Sequence, residues 1–485
     1  MTTGGIVGVC IAGAIVLFIA FLLIRAALTV PKKRAIEQKT EIEFDENVIA
    51  ERISGAVKIP TVTVQGDVTD YAPFLQYHEY LEKTFPNVFS HAEKTIVNGY
   101  SLILKINGTD ESLLPACFLS HQDVVPAPAK GWEVEPFSGE IKDGFVWGRG
   151  SLDMKWHKIA LLSALDKLLE KGELPKRGIY CCFGHDEEIT GKDGAKNVAA
   201  YLLEKGVRFE YLLDEGGSVI DGSILGCKAP IAAIGVCEKG YVDYVLTSER
   251  DGGHASNPKR KSAVTDVAQA VFDLSHLPMK TKLTAPVKKM FKNVSPYMSY
   301  PFRILFANAD VLAPLLKFIL SRVNPVTNAA LRTTFGFTQL QGSDAPNVIP
   351  GTATAVVNVR INIGQTQKEV KQYIQKAVGK NISVTELNPG YDPTPISNMD
   401  NDSYRKLEET VREMWGDVPV TPFPFIAATD AKHYVKLCDS IYRFGPIEMT
   451  MEDDKLIHAT NERVSIKGAT KGAQFFKNFI EKTCF

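Results

Sequence analysis

The sequence predicts an α/β fold in which helices flank a mainly parallel sheet, with a smaller α+β domain inserted and a hydrophobic span at the N-terminus. Two patterns predict this class. After residue 45, short apolar runs alternate with amphipathic runs of helical spacing, which is typical of strands buried on both faces by helices. After Pro230, longer β-rich runs appear, and these predict an antiparallel sheet in a second domain.

Three buried strands and two helices are predicted in the first half of the chain. The strands are residues 114–120, RGIYCCFG and RFEYLLDEGG. The first helix, MKWHKIALLSALDKLLEKG, carries apolar residues at helical spacing and ends at Gly172, and the second is AKNVAAYLLEKG. Because helices separate these strands, the connections are crossovers and the strands run parallel.

The second domain is predicted from a β-α-β-β-α-β-like run. Its strands are IAAIGVCEKGYVDYVLTSER, TATAVVNVRIN and NISVTELN, and its helices are KSAVTDVAQAVFDLSHL and TQKEVKQYIQKAVGK. Residues 282–335, between its halves, are irregular and rich in aromatic residues and Met. This segment is either a helical cap over an apolar substrate channel or a packing insertion.

These patterns divide the chain into four parts. Residues 1–44 form a hydrophobic span and linker. Residues 45–230 and 393–485 form the two parts of one α/β domain, and residues 231–392 form a domain inserted between them. The composition is that of a globular protein, with 45% hydrophobic and 23% charged residues. The formal net charge of −1 leaves no electrostatic footprint for nucleic acid, so we expect no such partner.

The N-terminal span runs from Ile6 to Ile24 without a charged residue. At 1.5 Å per residue it is about 28 Å long, enough to cross a bilayer core. The run is longer than a signal-peptide core, and no basic segment precedes it, so we expect an uncleaved single-pass anchor. A cleaved signal peptide, which would release a secreted protein, and a buried core helix are the alternatives.

Acidic residues and histidines follow three of the predicted strands. They are His121-Gln122-Asp123, His185-Asp186-Glu187-Glu188 and Asp214-Glu215-Gly216-Gly217, and the tight loop Gly148 to Asp153 opens a helix beside them. Because ligands bind at the carboxyl ends of parallel strands, we expect these groups to converge. Carboxylates buried so close together must be neutralised, and a metal centre does this.

The available ligands are imidazoles and carboxylates, which suit zinc with open positions, and two metal ions if one carboxylate bridges them. Of the adjacent Glu187 and Glu188, one can bind metal while the other acts as a base. Asp123 lies two residues after His121, and therefore on the same strand face, where it can orient the imidazole.

These motifs, in this order, resemble the signature of the co-catalytic zinc exopeptidase family, which includes aminoacylase and carboxypeptidase S. The matching residues are His121-Gln122-Asp123-Val124-Val125-Pro126, Gly148-Arg149-Gly150 with Asp153, Gly184-His185-Asp186-Glu187-Glu188 and Asp214-Glu215-Gly216. The resemblance covers nearly the whole chain after residue 45. Within the family, the long motifs and the 282–335 insertion resemble most the subgroup of carboxypeptidase S and the secreted N-fatty-acyl-amino-acid synthase/hydrolase.

The resemblance implies two Zn²⁺ ions per subunit and a role for each matched residue. His121, Asp153 and Asp214 would bind one ion, and Asp153, Glu188 and His458 the other, with Asp153 bridging. Glu187 would be the general base and acid, and Asp123 would support His121. The peptide bond between Asp153 and Met154 would be cis.

In the inserted domain, Asp251-Gly252-Gly253-His254-Ala255-Ser256 resembles the family element that reaches the neighbouring active site. The resemblance implies that His254 stabilises the oxyanion of a partner subunit, hence a homodimer. Asn347 and Arg360 would hold the substrate backbone and its free carboxylate, which suits the bidentate geometry of arginine.

The implied reaction is reversible hydrolysis of the amide bond to a C-terminal free amino acid. Small-molecule substrates of two kinds remain open, N-fatty-acyl amino acids and short peptides, and the apolar insertion favours the former. A non-catalytic, membrane-anchored binding ectodomain is a distant alternative, which the complete residue set disfavours.

The sequence contains opposing signals for the orientation of the span in the membrane. Lys32, Lys33 and Arg34 follow the span, which by the positive-inside rule favours a cytoplasmic catalytic part. Two other observations favour a lumenal catalytic part. One is the secretory character of the resembling proteins, and the other is the presence of four N-x-S/T sequons, at Asn107, Asn293, Asn381 and Asn401. We expect a lumenal or extracellular catalytic part.

Overall fold

The computed structural model describes residues 2–31, 38, 41–66 and 68–485, without the side chain of Ile224. The predicted basic cluster Lys32, Lys33 and Arg34, and most of the predicted linker before residue 41, lie outside the described residues. Within the described ranges, the helices are α1 (Thr3–Leu28), α2 (Glu46–Val57), α3 (Ala72–Thr84), α4 (Pro86–His91), α5 (Trp156–Leu169), α6 (Ala195–Glu204), α7 (Ala263–His276), α8 (Ala285–Val294), α9 (Tyr300–Phe306), α10 (Ala313–Val323), α11 (Pro325–Leu331), α12 (Gln367–Val378), α13 (Asp402–Trp415), α14 (Met451–Asp454) and α15 (Ile466–Cys484).

The strands form one large sheet and three smaller ones. In chain order they are β1 (Ala92–Val97), β2 (Ser101–Ile106), β3 (Ala116–Leu119), β4 (Ile141–Lys142), β5 (Phe145–Trp147), β6 (Ile179–Phe183), β7 (Tyr211–Asp214), β8 (Val219–Ile220), β9 (Ile231–Glu238), β10 (Gly240–Glu249), β11 (Gly253–His254), β12 (Thr334–Gln341), β13 (Val348–Ile349), β14 (Thr352–Ile361), β15 (Ser383–Tyr391), β16 (Val420–Phe425), β17 (Ile441–Arg443), β18 (Glu448–Met449) and β19 (Arg463–Ser465).

The large sheet is mixed, and its centre is parallel. Its order is β1-β2-β6-β3-β7-β17-β9-β8-β18, with β16 also pairing β9. Strands β6, β3, β7 and β17 pair in parallel, so their carboxyl ends meet at one edge. All four residues of β3 and all four of β7 are buried, as the apolar runs predicted. The predicted α/β class is confirmed.

Helices cover this sheet and form its core. Helix α5 is buried around nearly its whole circumference, because it packs between the sheet and α15. The Trp156, Ile159 and Phe476 side chains belong to this core and are almost inaccessible to solvent. A large apolar core of this kind stabilises the sheet, and burial of one such aliphatic or aromatic side chain contributes roughly 1.5–3 kcal/mol.

The inserted segment contains an antiparallel sheet of order β12-β14-β10-β15. Helices α7 and α12 pack on it through Val267, Leu274, Val370 and Ile374. Both helices begin with a capping box, in which the N-cap hydroxyl and the third residue satisfy each other's backbone N–H groups. The predicted β-rich run after Pro230 is in fact two strands, because β9 lies in the large sheet and β10 in the smaller one. The proposed domain boundaries stay a prediction.

Residues 285–331 form four helices, α8 to α11, rather than an irregular segment. Their buried side chains, including Phe291, Met298 and Phe306, pack against Cys227 and Ile231 at the border of the large sheet. This helical block also contacts α1. The hydroxyl of Tyr300 donates to the Leu23 carbonyl at 3.0 Å, and Arg25 pairs with Asp310 at 2.9 Å.

Helix α1 is long and apolar enough to cross a membrane, with a mean hydropathy of 3.0 in its most apolar window and none of that window buried. Only the length and composition of α1 support a membrane span. A signal sequence near the N-terminus would have the same length and composition. Of its residues, Ala26 is buried.

Candidate active site

His121 and Asp123 follow the carboxyl end of β3. The Nδ1 of His121 lies 2.9 Å from the Asp123 carbonyl oxygen, so this nitrogen donates, and Nε2 is the nitrogen that could bind a metal ion. The Asp123 carboxylate lies 3.3 Å from the same Nδ1 and accepts the backbone N–H groups of Glu187 and Glu188, each at 3.1 Å. Asp123 therefore fixes the imidazole and ties it to the loop after β6.

Asp153 lies between two histidines that are far apart in sequence. Its Oδ1 is 3.1 Å from the Nε2 of His121, and its Oδ2 is 3.0 Å from the Nε2 of His458. The peptide bond to Met154 is cis, as the family resemblance implied. Gly150, in the preceding turn, has φ 81°, and a Cβ there would come within 2.4 Å of Val124, so the turn requires glycine. Two carboxylate oxygens facing two imidazoles is the arrangement of a bridging ligand.

Glu188 faces the second histidine, because its Oε2 lies 3.0 Å from the Nε2 of His458. Its Oε1 is buried without a hydrogen-bond partner among the described residues. A buried carboxylate oxygen without a partner is costly unless a cation occupies the space beside it.

Glu215, rather than Asp214, joins the cluster. The Oε1 of Glu215 lies 3.6 Å from the Nε2 of His121. The Asp214 carboxylate instead accepts the backbone N–H groups of Glu215 and Ala431, each at 2.9 Å. The geometry therefore favours Glu215 over Asp214, the ligand implied by the resemblance, and the ligand assignment stays a prediction. Adjacent residues at a strand end point to opposite sides, and only one of the two can face the cluster.

The described residues contain two overlapping groups that could hold a metal ion: His121 with Glu187 and Glu215, and His121 with Asp153 and Glu188. Within each group the ligand atoms lie within 4.8 Å of one another. With His458 on the far side of Asp153, the donor set is two imidazoles and four carboxylates. The set, and the unpartnered Glu188 oxygen, fit a metal-ion site.

The protonation equilibria of the cluster show the same excess of negative charge. Burial raises the pKa of Glu187 to about 8 and also raises those of Glu188 and Glu215. Burial opposes a charge on His121, but Glu215, Asp123 and Asp153 hold its pKa well above the usual value. Hydrogen bonds that the His458 imidazole donates to the Asp153 and Glu188 carboxylates raise the pKa of His458 to about 10. A cation bound among these carboxylates would oppose the rise in their pKa values and favour their ionised forms.

A buried ion pair that the sequence reasoning missed holds this geometry. Arg149 binds Glu462 at 2.5 Å and donates to the His458 carbonyl at 3.1 Å. The other oxygen of Glu462 accepts the backbone N–H groups of Leu152 and Asp153, each at 2.9 Å. The pair therefore joins the Asp153 loop to the His458 segment. Arg149 belongs to the Gly-Arg-Gly motif, but no sequence signal linked it to Glu462.

Lys158 is another supporting residue that the sequence did not single out. Its Nζ donates to the His121 carbonyl at 2.9 Å and lies 4.8 Å from the centre of the Tyr77 ring. The ring of His157 packs 5.0 Å from that of Phe476. The Nδ1 of His185 pairs with Ser101 Oγ at 2.7 Å.

A cavity of about 450 Å³ opens beside the cluster. Asp153, Glu187, Glu188, Glu215 and His458 form one wall. The remaining wall is largely apolar, and its large side chains are Leu152, Met154, Trp156, Ile220, Phe425, Ile447, Met449, Met451 and Ile457. No residue of 282–335 lines this cavity, so the cap suggested by the sequence does not cover it in this structure. The cavity offers an apolar space directly next to the polar cluster.

The three site residues predicted in the inserted domain do not line this cavity. His254 is exposed, and its Nδ1 lies 2.8 Å from Ser256 Oγ. Asn347 is exposed, and its carbonyl accepts the Ala255 N–H at 3.0 Å. The guanidinium of Arg360 lies 4.8 Å from the ring centre of Tyr241.

Aromatic rings connect Arg360 to the catalytic part of the chain. The Tyr241 ring is 5.9 Å from that of Tyr391, and Nζ of Lys432 is 5.9 Å from the Tyr391 ring centre. The charge of Lys432 in turn acts on Glu187, where it opposes the rise in pKa. Arg360 therefore lies on the side of the small sheet that faces the cluster.

Comparison with known proteins identifies several similar chains. The family model described as peptidase family M20/M25/M40 matches residues 117–482. The N-fatty-acyl-amino acid synthase/hydrolase PM20D1 of Xenopus tropicalis is 38% identical over 480 residues, covering 97% of this chain and 93% of that protein. The human PM20D1 is 36% identical over 456 residues, covering 93% and 90%. The probable carboxypeptidase S-like 2 of Dictyostelium discoideum is 35% identical over 442 residues, covering 90% and 85%.

Solved structures share the fold at lower sequence identity. The M20 family metallo-carboxypeptidase Sso-CP2 from Sulfolobus solfataricus has a TM-score of 0.68 at 17% identity, covering 90% of this chain and 99% of that chain. Human carnosine dipeptidase 1 has a TM-score of 0.59 at 16% identity, covering 90% and 96%. These matches show the common fold.

Proposed function

The chain belongs to peptidase family M20/M25/M40, and we propose that it hydrolyses N-fatty-acyl amino acids, reversibly, at the amide bond to the free amino acid. It is a metallohydrolase that acts on amide bonds. The observation that carries the substrate proposal is the apolar cavity beside the cluster, because a fatty-acyl chain needs a large apolar surface next to the reacting carbonyl. The names of the PM20D1 relatives support the same substrate class.

We propose two Zn²⁺ ions per subunit. His121, Asp153 and Glu215 would hold one, and Asp153, Glu188 and His458 the other. Zinc ions bound there would supply Lewis-acid chemistry, which polarises an amide carbonyl and acidifies water. Asp123, Arg149 and Glu462 keep the ligands in position through the hydrogen bonds described above.

In the proposed reaction, Glu187 moves the proton. It takes a proton from the water that attacks the amide carbonyl carbon. When the carbon–nitrogen bond breaks, Glu187 returns that proton to the leaving amine, which becomes the α-amino group of the amino acid. In the synthetic direction the same residue carries the proton the opposite way.

We propose that Arg360 and Asn347 hold the amino-acid part of the substrate and that His254 stabilises the oxyanion. Arg360 suits a carboxylate because its guanidinium donates two parallel hydrogen bonds. His254 is exposed and does not line the cavity of its own chain, which supports a role in the active site of a second subunit. A homodimer would then be the active form.

The substrate proposal is tested with purified, zinc-loaded protein. N-oleoyl-phenylalanine and a blocked dipeptide of equal concentration are incubated with the enzyme, and free amino acid is measured. We expect a higher kcat/KM for the oleoyl compound and no turnover by the Glu187→Gln variant. A preference for the dipeptide would favour the second candidate, a carboxypeptidase S-like activity, which the Dictyostelium relative supports. No turnover of either substrate would support the non-catalytic alternative.

We also propose that α1 anchors the protein as a single membrane span, with the catalytic part in the lumen or outside the cell. Two of the four sequon asparagines, Asn107 and Asn381, are exposed, although the Asn107 amide donates to Glu93 at 2.6 Å. Asn293 and Asn401 are partly buried and donate hydrogen bonds to the Val420 carbonyl and to Ser440. The alternative is a secreted protein after cleavage of the span.

Glycosylation tests this orientation. We expect endoglycosidase to increase the gel mobility of cell-made protein and Asn107→Gln with Asn381→Gln to abolish that shift. In sealed vesicles with the cytoplasmic face outward, the catalytic part should resist added protease. No mobility shift together with digestion would indicate the cytoplasmic orientation. Recovery of a soluble protein that lacks α1 from the medium would indicate secretion.

A further inference from the structure

Helices α9 to α11 expose many large apolar side chains. Helix α10 has the sequence APLLKFILSRV, yet of its residues only Leu316 is buried. Phe302 is 47% exposed, Leu315 45% and Phe318 58%. Soluble proteins rarely expose apolar side chains in such a cluster, and large exposed patches mark contacts with proteins or lipids.

The exposed block lies against the last turns of α1. Tyr300 donates to the Leu23 carbonyl at 3.0 Å, and Asn308 donates to the Leu22 carbonyl at 3.1 Å. Arg25, the first charged residue after the apolar run, pairs with Asp310 at 2.9 Å. If α1 crosses a bilayer, residues 22–25 lie at the boundary of its hydrocarbon core. The block is then held at the depth of the lipid headgroups, where tyrosine is favoured.

The charge of the block differs from that of the whole chain, which is nearly balanced. Residues 285–331 contain one acidic residue, Asp310, and its carboxylate is paired with Arg25. They contain six basic residues, of which Lys288, Lys289 and Lys292 lie on α8, and Arg303, Lys317 and Arg322 lie on α9 and α10. Lys289 pairs with Asp400 at 2.6 Å, so the basic groups of the exposed block itself are those of α9 and α10. On α10, the guanidinium of Arg322 lies 4.0 Å from the centre of the exposed Phe318 ring. Basic groups next to exposed aromatic and aliphatic side chains are typical of helices that lie in a membrane interface.

We propose that α9 to α11 form a membrane-contacting surface that rests on the bilayer beside α1. Phe302, Leu315 and Phe318 enter the interface, and Lys317 and Arg322 beside them face anionic headgroups. This inference rests on the proposed role of α1 as a span and is independent of the reaction. It assigns a function to the 285–331 insertion, which does not line the catalytic cavity.

The contact can be measured in the full chain reconstituted in vesicles of phosphatidylcholine and phosphatidylserine. All variants carry Cys10→Ser, since the other cysteines are buried. A single cysteine is introduced by Leu315→Cys or Phe318→Cys and labelled with an environment-sensitive fluorophore. The matched control is Leu174→Cys, because Leu174 is an apolar residue of the catalytic part with 46% exposure. Thermal melting of each labelled protein reports whether it is folded.

We expect lipids with a nitroxide near the headgroup to quench the labels at 315 and 318 at least two-fold and to leave the label at 174 unchanged. Iodide dissolved in the aqueous phase should instead quench the label at 174 more strongly than the labels at 315 and 318. Labels at 315 and 318 that iodide quenches as strongly as at 174 would refute the proposal. Protection from both quenchers would also refute it and would indicate that a second copy of the chain covers the surface.

Discussion

Glu187 and Glu188 are adjacent in sequence, but their carboxylates have different surroundings. Both glutamates group with His121, but Glu188 pairs with His458 and groups with Asp153, whereas Glu187 groups with Glu215. Both backbone N–H groups are held by Asp123, so the turn that separates the two side chains is fixed. This division of partners is what the proposed roles of base and ligand require.

Substitution of each glutamate by glutamine should separate these roles. Glu187→Gln keeps the shape of the side chain but cannot accept a proton, so kcat should fall by about 10²–10⁴-fold with zinc content nearly intact. Glu188→Gln removes a charged ligand and should lower zinc content. The measurement is zinc per chain together with kcat for both variants. Loss of zinc in the Glu187 variant, with retention in the Glu188 variant, would reverse the assignment.

Substitution of the adjacent residues Asp214 and Glu215 tests which of the two carboxylates binds the metal ion. Glu215→Gln should reduce both zinc per chain and kcat, because it removes a negative donor beside His121. Asp214→Asn should keep its zinc but lower stability by about 1–3 kcal/mol, because one of two buried N–H groups loses its acceptor. Elemental analysis and thermal unfolding of both variants decide between them. An Asp214 variant that loses zinc while the Glu215 variant keeps it would restore the assignment made from sequence.

At the scale of elements, the site is built where several short segments end. The loops after β3, β6 and β7 supply His121, Glu188 and Glu215. The turn before α5 supplies Asp153, and the segment between α14 and β19 supplies His458. Strand β18 and helix α14 contribute Met449 and Met451 to the cavity wall. The polar groups thus come from the sheet edge, and part of the apolar wall comes from the last third of the chain.

These two methionines should set the preference for acyl length. In the unmodified enzyme, kcat/KM should rise by up to about four-fold per methylene, since burial of one CH₂ contributes about 0.8 kcal/mol. Met449→Gln with Met451→Gln keeps side-chain length and should lower kcat/KM for N-oleoyl-phenylalanine by about 5–30-fold. N-acetyl-phenylalanine, which does not reach this wall, serves as the control and should be unaffected. An equal loss for both substrates would place the acyl chain elsewhere.

At the scale of the whole molecule, the chain passes from the large sheet to the β12-β14-β10-β15 sheet and back, and these two connections lie side by side. Lys239 connects β9 to β10, and its Nζ donates to the Ala329 and Arg332 carbonyls, each at 2.9 Å. On the return, the Thr394 N–H donates to the Glu238 carbonyl at 3.1 Å. The small sheet, which carries Arg360, is therefore tied to the large sheet through a narrow connection. His254 belongs to β11, which pairs with β13, and Asn347 directly precedes β13.

Mixing of two inactive variants tests whether His254 acts in a second subunit. His254→Ala and Glu187→Gln proteins are combined under conditions of subunit exchange. A heterodimer would contain one intact site, so about half of the activity per heterodimer should return. Size-exclusion chromatography with differently tagged chains verifies the exchange. Verified exchange without recovery of activity would show that His254 acts within its own chain or has no role in the reaction.

The sequence by itself determined the fold class and pointed to most residues of the candidate site, because both leave local patterns. Burial on both faces of a strand produces the apolar runs of β3, β6 and β7, and strand ends carry the acids and histidines that follow them. The family resemblance added His458. Only the tertiary structure decided the features that depend on side-chain direction and on packing between distant segments. It turned Glu215 rather than Asp214 toward His121, paired Arg149 with Glu462, and formed the cavity wall from Ile220, Met449 and Ile457. It also folded 285–331 into helices against α1. Such contacts join residues hundreds of positions apart, and no local periodicity encodes them.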